Sequence, residues 1–508
     1  MLLLHLGCTS CQNKQERDYR LEAFSDMKTP VFVLDRLQIE ASLLQLANGE
    51  KGTTRADIHT RNYYKESAHP MVWIDRLGVG ERADSLLAWL HLLPQIGLSE
   101  RAFCVGEIEE DLRRLRTLDV TEGSNSMSQV AARLEYNLTK ACLRYCFGHR
   151  FGFINPHHVF NNLDVEKTDS LKGIVSYRGL FDMKMDIPQP QYAQQLLQKV
   201  KNDSIVAYLH EIQPQDRFYG RLKTMLATAS TAEHRKRIMV NMERSRWRLH
   251  DPVPETGKRI IVNIPAYHLY AFSDAEQIDM RVVCGNVKTK TPLLSSQIEW
   301  MEINPKWVIP MSIIENEVSR KAGDTAYFSR NRYRIYDKVT NQLIPVHSVS
   351  KQMLLSGNYR VAQDGGKGNS LGRIVFRFKN NFSVFLHDTS NPGAFERRSR
   401  DVSHGCVRVS KPFDLAQFVL DSPDEWLLDR IRIAMGIPAE TERGIDYESN
   451  HPESDERNKL ISYVSVKPRV PLYIIYYTLW PDESGMMQTW PDVYGYDDVV
   501  WNSLKPYM

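Results

Sequence analysis

A chain of 508 residues is too long for one ordinary hydrophobic core, so two or three domains are expected. Its 42% hydrophobic and 25% charged residues are those of a soluble globular protein, and 65 basic against 62 acidic side chains leave a formal charge of +3 that demands no nucleic acid. The seven cysteines are odd in number and widely spread, which excludes a disulfide framework, and neither a glycine-rich phosphate loop nor an apolar run of about 18 residues is present.

Residues 1–55 read as leader and linker. Met1-Leu2-Leu3-Leu4-His5-Leu6-Gly7-Cys8 resembles the end of a secretory apolar segment without its basic head. Cys8 or Cys11 then stands where a bacterial lipoprotein carries its lipid, which would tether the chain to a membrane; a misplaced start and a frayed terminus is the equal alternative. From Asn62 to Lys223 the pattern is helical. Ser85 to Leu93 is a compact apolar stretch stopped by Pro94 and Gly97, and Val130 to Phe147 puts Leu134, Leu138, Ala141, Cys142 and Tyr145 on one face. Cys142, Cys146 and His149 share that face at metal-ligand spacing, but no fourth ligand is evident and a buried helix face is the better reading. Leu163 to Pro190 is polar and punctuated by Gly and Pro, a connector, and Tyr192 to Val206 is another amphipathic helix.

The character changes at Pro252-Val253-Pro254-Glu255-Thr256-Gly257. Short β-like runs follow at Arg259 to Ile264, His268 to Phe272, Met280 to Cys284, Ile374 to Phe378 and Phe382 to Leu386. Leu415 to Leu420 and Glu425 to Met435 read as helices, and residues 471–490 as a terminal hairpin around Asp482-Glu483-Ser484-Gly485. Arg397, Arg398 and Arg400 form a basic cluster that is either a solvated loop or a carboxylate-binding one.

Just beyond that cluster stands Ser403-His404-Gly405-Cys406-Val407-Arg408, with His387-Asp388-Thr389 upstream. Cysteine nucleophiles act as thiolates, made by a neighbouring imidazole that takes the proton. His387 closes a strand, a rigid place from which a ring can reach another loop. Gly405 permits a tight turn whose amides at Gly405 and Cys406 could face a developing oxyanion. Arg408 could hold a carboxylate with its two-pronged guanidinium.

These residues resemble the signature of the YkuD-type L,D-transpeptidases: a histidine, a spacer, then Ser or Thr followed by His-Gly-Cys. Here His387, the stretch Asp388 to Val402, and Ser403-His404-Gly405-Cys406 supply it. The likeness extends to the large YcbB-like subfamily through Asn241-Met242-Glu243-Arg244, Val262-Asn263-Ile264-Pro265, Asn304-Pro305-Lys306-Trp307, Gly368-Asn369-Ser370-Leu371-Gly372-Arg373 and Asp492-Val493-Tyr494-Gly495-Tyr496-Asp497. Leu134-Glu135-Tyr136-Asn137-Leu138-Thr139 is similar to that subfamily's scaffold domain. Two features depart from it. Lys223 runs to Asn241 in fewer than twenty residues, too few for the peptidoglycan-binding module of many relatives. Gln363-Asp364-Gly365-Gly366 replaces a Gln-x-Pro-Gly stretch.

The resemblance implies an α+β chain. A helical scaffold domain at 56–240 precedes a β-rich catalytic domain at 241–508, with a lid at about 323–368. It implies Cys406 as nucleophile, His387 as proton acceptor and donor, and Ser403, His404, Gly405 and Arg408 as shapers of the site, with no cofactor or metal. The implied partners are peptidoglycan stem peptides, a donor tetrapeptide and an acceptor diamino acid, met on the periplasmic side of the cell envelope. The implied reaction releases D-alanine and makes 3→3 cross-links. Hydrolysis, D-amino-acid exchange or protein anchoring through the same thioester is the alternative within the enzymes, and a wall-binding scaffold with a dead site is the alternative outside them.

Overall fold

The computed structural model describes residues 34–66, 71–75, 78–169, 174–451, 455–482 and 484–508. Cys8 and Cys11 lie outside them, so the lipid-tether reading does too. Contacts divide the chain into two compact units: residues 1–155, 186–248 and 498–508, and residues 156–185 and 249–497. The strip 156–185 thus groups with the second unit and the last eleven residues with the first. Sequence patterning sees neither exchange, because both depend on contacts between distant segments.

The first unit is helical. Helix α1 (Arg36–Gly49) lies inside the stretch read as leader and linker; Asp35 caps it by accepting from the amides of Leu37 and Gln38, and Ile39, Leu43 and Ala47 are buried. Leu37 and Leu44 are exposed on the other side of the helix, so its apolar residues mark no single stripe for a pattern search to find. After α2 (Arg55–Lys65), α3 (Glu81–Leu90) and α4 (Val105–Thr117) comes α5 (Met127–Phe151), buried on most of its circumference. Its Glu135 is fully buried and accepts from the amides of Trp73 (3.0 Å) and Ile74 (3.2 Å) and from the Tyr64 hydroxyl (2.8 Å), which fastens the preceding loop to the helix. Cys142, Cys146 and His149 are all buried within α5, and no group of three metal-ligating side chains occurs among the described residues. The helix expected at 192–206 is two, Tyr192–Lys201 and Ile205–Glu211, with Asp203 at φ 55° between them. No helix among the described residues is long and apolar enough to cross a membrane.

The second unit is built on a sheet that closes on itself. Its strands are β1 (Arg259–Asn263), β2 (His268–Phe272), β3 (Gln277–Gly285), β4 (Leu293–Ile303), β5 (Ile374–Phe378), β6 (Leu386–His387), β7 (Val407–Val409) and β8 (Tyr463–Ile475). Following the pairings, β5 meets β6, then β7, β3, β2, β1, β8 and β4, and β4 pairs again with β5. Closure removes the exposed edges and fills the interior with apolar side chains such as Val262, Leu269, Val282, Met301 and Phe376. The connector at 163–190 is less irregular than its composition suggests. It holds a hairpin, Val165–Asp169 with Ile174–Tyr177, and a short strand, Phe181–Asp182, parallel to β4.

Three expected elements are placed differently. Residues 382–385 turn, because Asn380 Oδ1 accepts from the amides of Phe382 (2.9 Å) and Val384 (3.1 Å) and Ser383 takes φ 54°, so only Leu386 and His387 are strand. Residues 471–475 belong to β8, and the terminal hairpin is the smaller Leu479–Pro481 with Met487–Thr489. The subdomain inserted between β4 and β5 starts at Trp307 and ends at Gln363, since Trp307 pairs with Gln363. Ile309, Ile313, Phe328, Ile335, Leu354 and Val361 give it a core of its own.

Candidate active site

The turn that carries Cys406 is built by short polar side chains. Ser403 Oγ donates to the Cys406 carbonyl (2.6 Å) and accepts from the Gly405 amide (3.1 Å), which closes the turn on itself. Gly405 sits at φ 117°, a region that a side chain would strain. Beneath it, Thr291 Oγ1 donates to the Gly405 carbonyl (2.8 Å) and accepts from the Gly285 amide (2.8 Å). The Tyr494 hydroxyl accepts from the Thr291 amide (3.1 Å) and donates to the Gly285 carbonyl (2.7 Å). The Ser403 carbonyl accepts from Thr289 Oγ1 (3.0 Å) and the Asn286 amide (3.0 Å). Gly285 must be glycine, because a Cβ there would meet the Thr289 carbonyl oxygen at 2.0 Å. One expectation is corrected here. The Gly405 amide is occupied by Ser403, so of the two amides thought to face an oxyanion only that of Cys406 is without a partner among the described residues.

Register brings the chemistry together. Parallel pairing sets Leu386 beside Val407 and His387 beside Arg408, and the Val407 amide bonds to the Phe385 carbonyl (3.1 Å), which puts Phe385 beside Cys406. Antiparallel pairing sets Val375 beside His387 and so Arg377 beside Phe385. Paired residues share a face and successive ones alternate, so Cys406, Arg408, Phe385, His387 and Arg377 all project from the same side of the barrel. The rings of Phe385 and His387 lie 5.7 Å apart, and the Arg377 guanidinium lies 4.5 Å over Phe385. His387 is therefore a diagonal neighbour of Cys406, at a spacing that side chains bridge.

Burial dominates the electrostatics. His387 is 4% exposed. That burial, then the charge of Arg408, pushes its imidazole down to about 3, against a weak opposing pull from the backbone of Asp388 and Leu371. Nδ1 makes no hydrogen bond of ordinary geometry among the described residues. Cys406 touches solvent at its surface but is crowded by protein on most sides. Its thiol is pushed up to about 11, with the Phe385 amide, Arg377 and Arg408 acting the other way. Both shifts favour the neutral thiol and the neutral imidazole, so His387 has to take the proton as the sulfur reacts. Neither ion is well solvated here, so charge separates only when a reacting carbonyl can receive it.

The remaining motif residues divide by direction. His404 is about half exposed and turns away from the thiol, its Nε2 2.8 Å from Glu317 Oε1 of the inserted subdomain. Asp388 Oδ2 accepts from the Arg373 amide (2.8 Å) and so braces the loop before β5. Arg408 is partly buried and its Nε has no partner among the described residues. Of the basic cluster, Arg397 and Arg398 are exposed, while Arg400 donates to the carbonyls of Val282 (3.2 Å) and Tyr267 (3.1 Å) and is structural. Sequence reasoning misses Thr289, Thr291, Phe385 and Arg377, which carry no motif of their own. Tyr494 stands in a recognisable stretch but without a role that spacing could give it.

Comparison with known proteins divides the chain in a similar way, except that residues 156–185 fall in the first match and in the second unit. Residues 257–433 match the family model described as the YkuD L,D-transpeptidase catalytic domain, and residues 59–226 match one described as a scaffold domain. A Haemophilus influenzae protein named "Putative L,D-transpeptidase" is 26% identical over 333 residues, covering 63% of this chain and 62% of that protein. The match therefore spans less than two thirds of that relative's length. The crystal structure of Mycobacterium tuberculosis L,D-transpeptidase 1 aligns at 15% identity over 43% of this chain and 61% of that one, with a TM-score of 0.16. A likeness of that size says nothing about how the site is arranged.

Proposed function

We propose, from the premise that this chain carries a YkuD L,D-transpeptidase catalytic domain with a scaffold domain ahead of it in the YcbB-like manner, that it cross-links peptidoglycan stems through a thioester on Cys406. The Cys406 sulfur attacks the carbonyl that joins the diamino acid of a donor tetrapeptide to its terminal D-alanine. His387 takes the thiol proton as the S–C bond forms, and the Cys406 amide receives the developing oxyanion. The C–N bond then breaks, His387 returns the proton to the departing amine, and D-alanine leaves. The side-chain amine of an acceptor diamino acid attacks the thioester, gives up its proton to His387, and forms the new 3→3 amide while the thiol is restored. Attack by water in place of the amine yields a shortened stem. The periplasmic side of the cell envelope, where such stems occur, is the proposed place of action.

The observation that supports this most is the pairing of β6 with β7, which sets His387 and Cys406 on one face while His404 turns to Glu317. Intact-mass measurement of the purified chain with a tetrapeptide stem, and with a carbapenem, tests it. One acyl adduct per chain is expected, absent in Cys406→Ala and unchanged in Cys104→Ala and Cys284→Ala. An adduct that survives Cys406→Ala overturns the assignment.

A further inference from the structure

A transferase with two peptide substrates needs two approaches to one sulfur. His404, two residues before Cys406, meets Glu317 of the inserted subdomain at 2.8 Å, which puts that subdomain next to the reactive turn. A groove of about 1030 Å³, with none of residues 307–363 in its lining, is lined by Ser383–Phe385 and by residues of β5, β4 and β8. The carbonyl of Ser383, a lining residue, lies 4.0 Å from Cys406 Sγ, and Phe385, another, is beside Cys406 in register, so the groove passes next to the nucleophile without including it.

Its lining carries fixed charges of both signs in pairs. Arg377 meets Glu302 at 2.9 Å near the catalytic end, and farther along Glu299 is held between Arg469 (2.9 Å) and Lys379 (3.8 Å). Asp182 and Asp251 line the groove too and have no basic partner among the described residues. A ligand that alternates ammonium and carboxylate groups can exchange partners with such pairs, so no charge need be left unpaired on binding. Arg377 is already neutralised by Glu302, which leaves the catalytic end of the groove without a spare cation for a terminal carboxylate. Arg408, with its unpartnered Nε, offers one beyond Cys406 on β7 instead.

We infer that this groove is the acceptor site, taking a stem peptide by its diamino acid and delivering the side-chain amine past Phe385 to the Cys406 thioester, while the donor enters beneath the inserted subdomain. The inference rests on the transpeptidation reading above.

The full chain is assayed with a donor tetrapeptide stem and increasing free acceptor tripeptide that carries the diamino acid. In Glu299→Gln the acceptor concentration at half-maximal transfer rises at least tenfold. Thioester formation without acceptor, read by intact mass, stays within twofold of the parent. Lys379→Gln, a change at an exposed side chain that cannot threaten folding, shifts the same quantity in the same direction by a smaller factor. Slowed thioester formation in these variants assigns the groove to the donor and overturns the inference. An unchanged acceptor dependence overturns it as well, and so does a change seen only with acceptors carried on glycan strands. Absence of any thioester in the parent chain is a separate result, which sinks the transpeptidation reading itself.

Discussion

Burial acts in opposite directions on the two groups that the motif joins, raising the Cys406 thiol and lowering the His387 imidazole, and both shifts favour the neutral forms. His387→Ala is therefore expected to lose acylation at neutral pH by about 10²–10⁴-fold, the usual cost of removing a general base. Alkali should restore part of the rate, with the restoration still climbing toward pH 11, because the thiol is pushed up to about 11 and not left at its free value of about 8.5. His404→Ala should lose the bond to Glu317 and gain nothing from alkali, since its ring does not serve the thiol. Carbapenem acylation rates of both variants from pH 7 to 10.5 decide this, and alkaline rescue of His404→Ala alone would reverse the two roles. The spacing of His387 and Cys406 made both legible in the sequence. Their shifts were not, because they come first from burial by other strands and, for His387, from the charge of Arg408, none of which the spacing of the motif records.

At the scale of elements, the reactive turn is held more by the loop at 286–291 than by its own residues. Thr291 is fully buried and joins Gly405 to Gly285 through one hydroxyl. Thr291→Val keeps the shape and leaves the Gly405 carbonyl and Gly285 amide unsatisfied, which costs about 1–3 kcal/mol per buried group. Urea unfolding should show a loss of that size. Acylation should slow as well, since the Cys406 amide loses its fixed direction; full acylation in a destabilised variant would show that the loop supports folding only. Such links join residues far apart in sequence, so no local pattern announces them. The same physics explains which elements were legible. Strands β1, β2 and β5 are nearly continuous apolar runs because the closed barrel buries them, and they are read directly. Strand β4 escapes notice because Ser295, Ser296 and Gln297 face the groove and break its apolar run. Residues 382–385 look like strand and are bent by Asn380 instead.

At the scale of the whole molecule, each unit has one fully buried histidine among the described residues, His149 in the helical unit and His387 in the β-rich one, and burial favours the neutral form of both. His149 stacks on Tyr145 at 4.1 Å, and neither ring nitrogen has a partner among the described residues. Burial, then Arg246, Arg248 and Lys223, holds its imidazole well below the ordinary value. A histidine whose folded pKa lies below its unfolded one contributes full stability above about pH 6.5, where neither state is protonated. As pH falls below that, the unfolded chain takes the proton and the folded chain does not, so stability is lost; for His387 the loss continues down to about 3. Glu135 and Glu243 act in the other sense, since burial raises their carboxyls and favours the folded state in acid. The histidine contribution is therefore isolated by comparison with a variant, not from the parent curve alone. His149→Phe keeps an aromatic ring against Tyr145, removes two unsatisfied nitrogens and removes the titration. At pH 7.5 it should be at least as stable as the parent. At pH 5.0 the advantage should grow by about 2 kcal/mol, the linkage expected for a group with an unfolded pKa of about 6.5 that stays neutral in the fold. Thermal unfolding of both proteins at the two pH values measures the widening of the gap, and a gap that stays constant would mean that His149 takes up its proton without unfolding the helices around it.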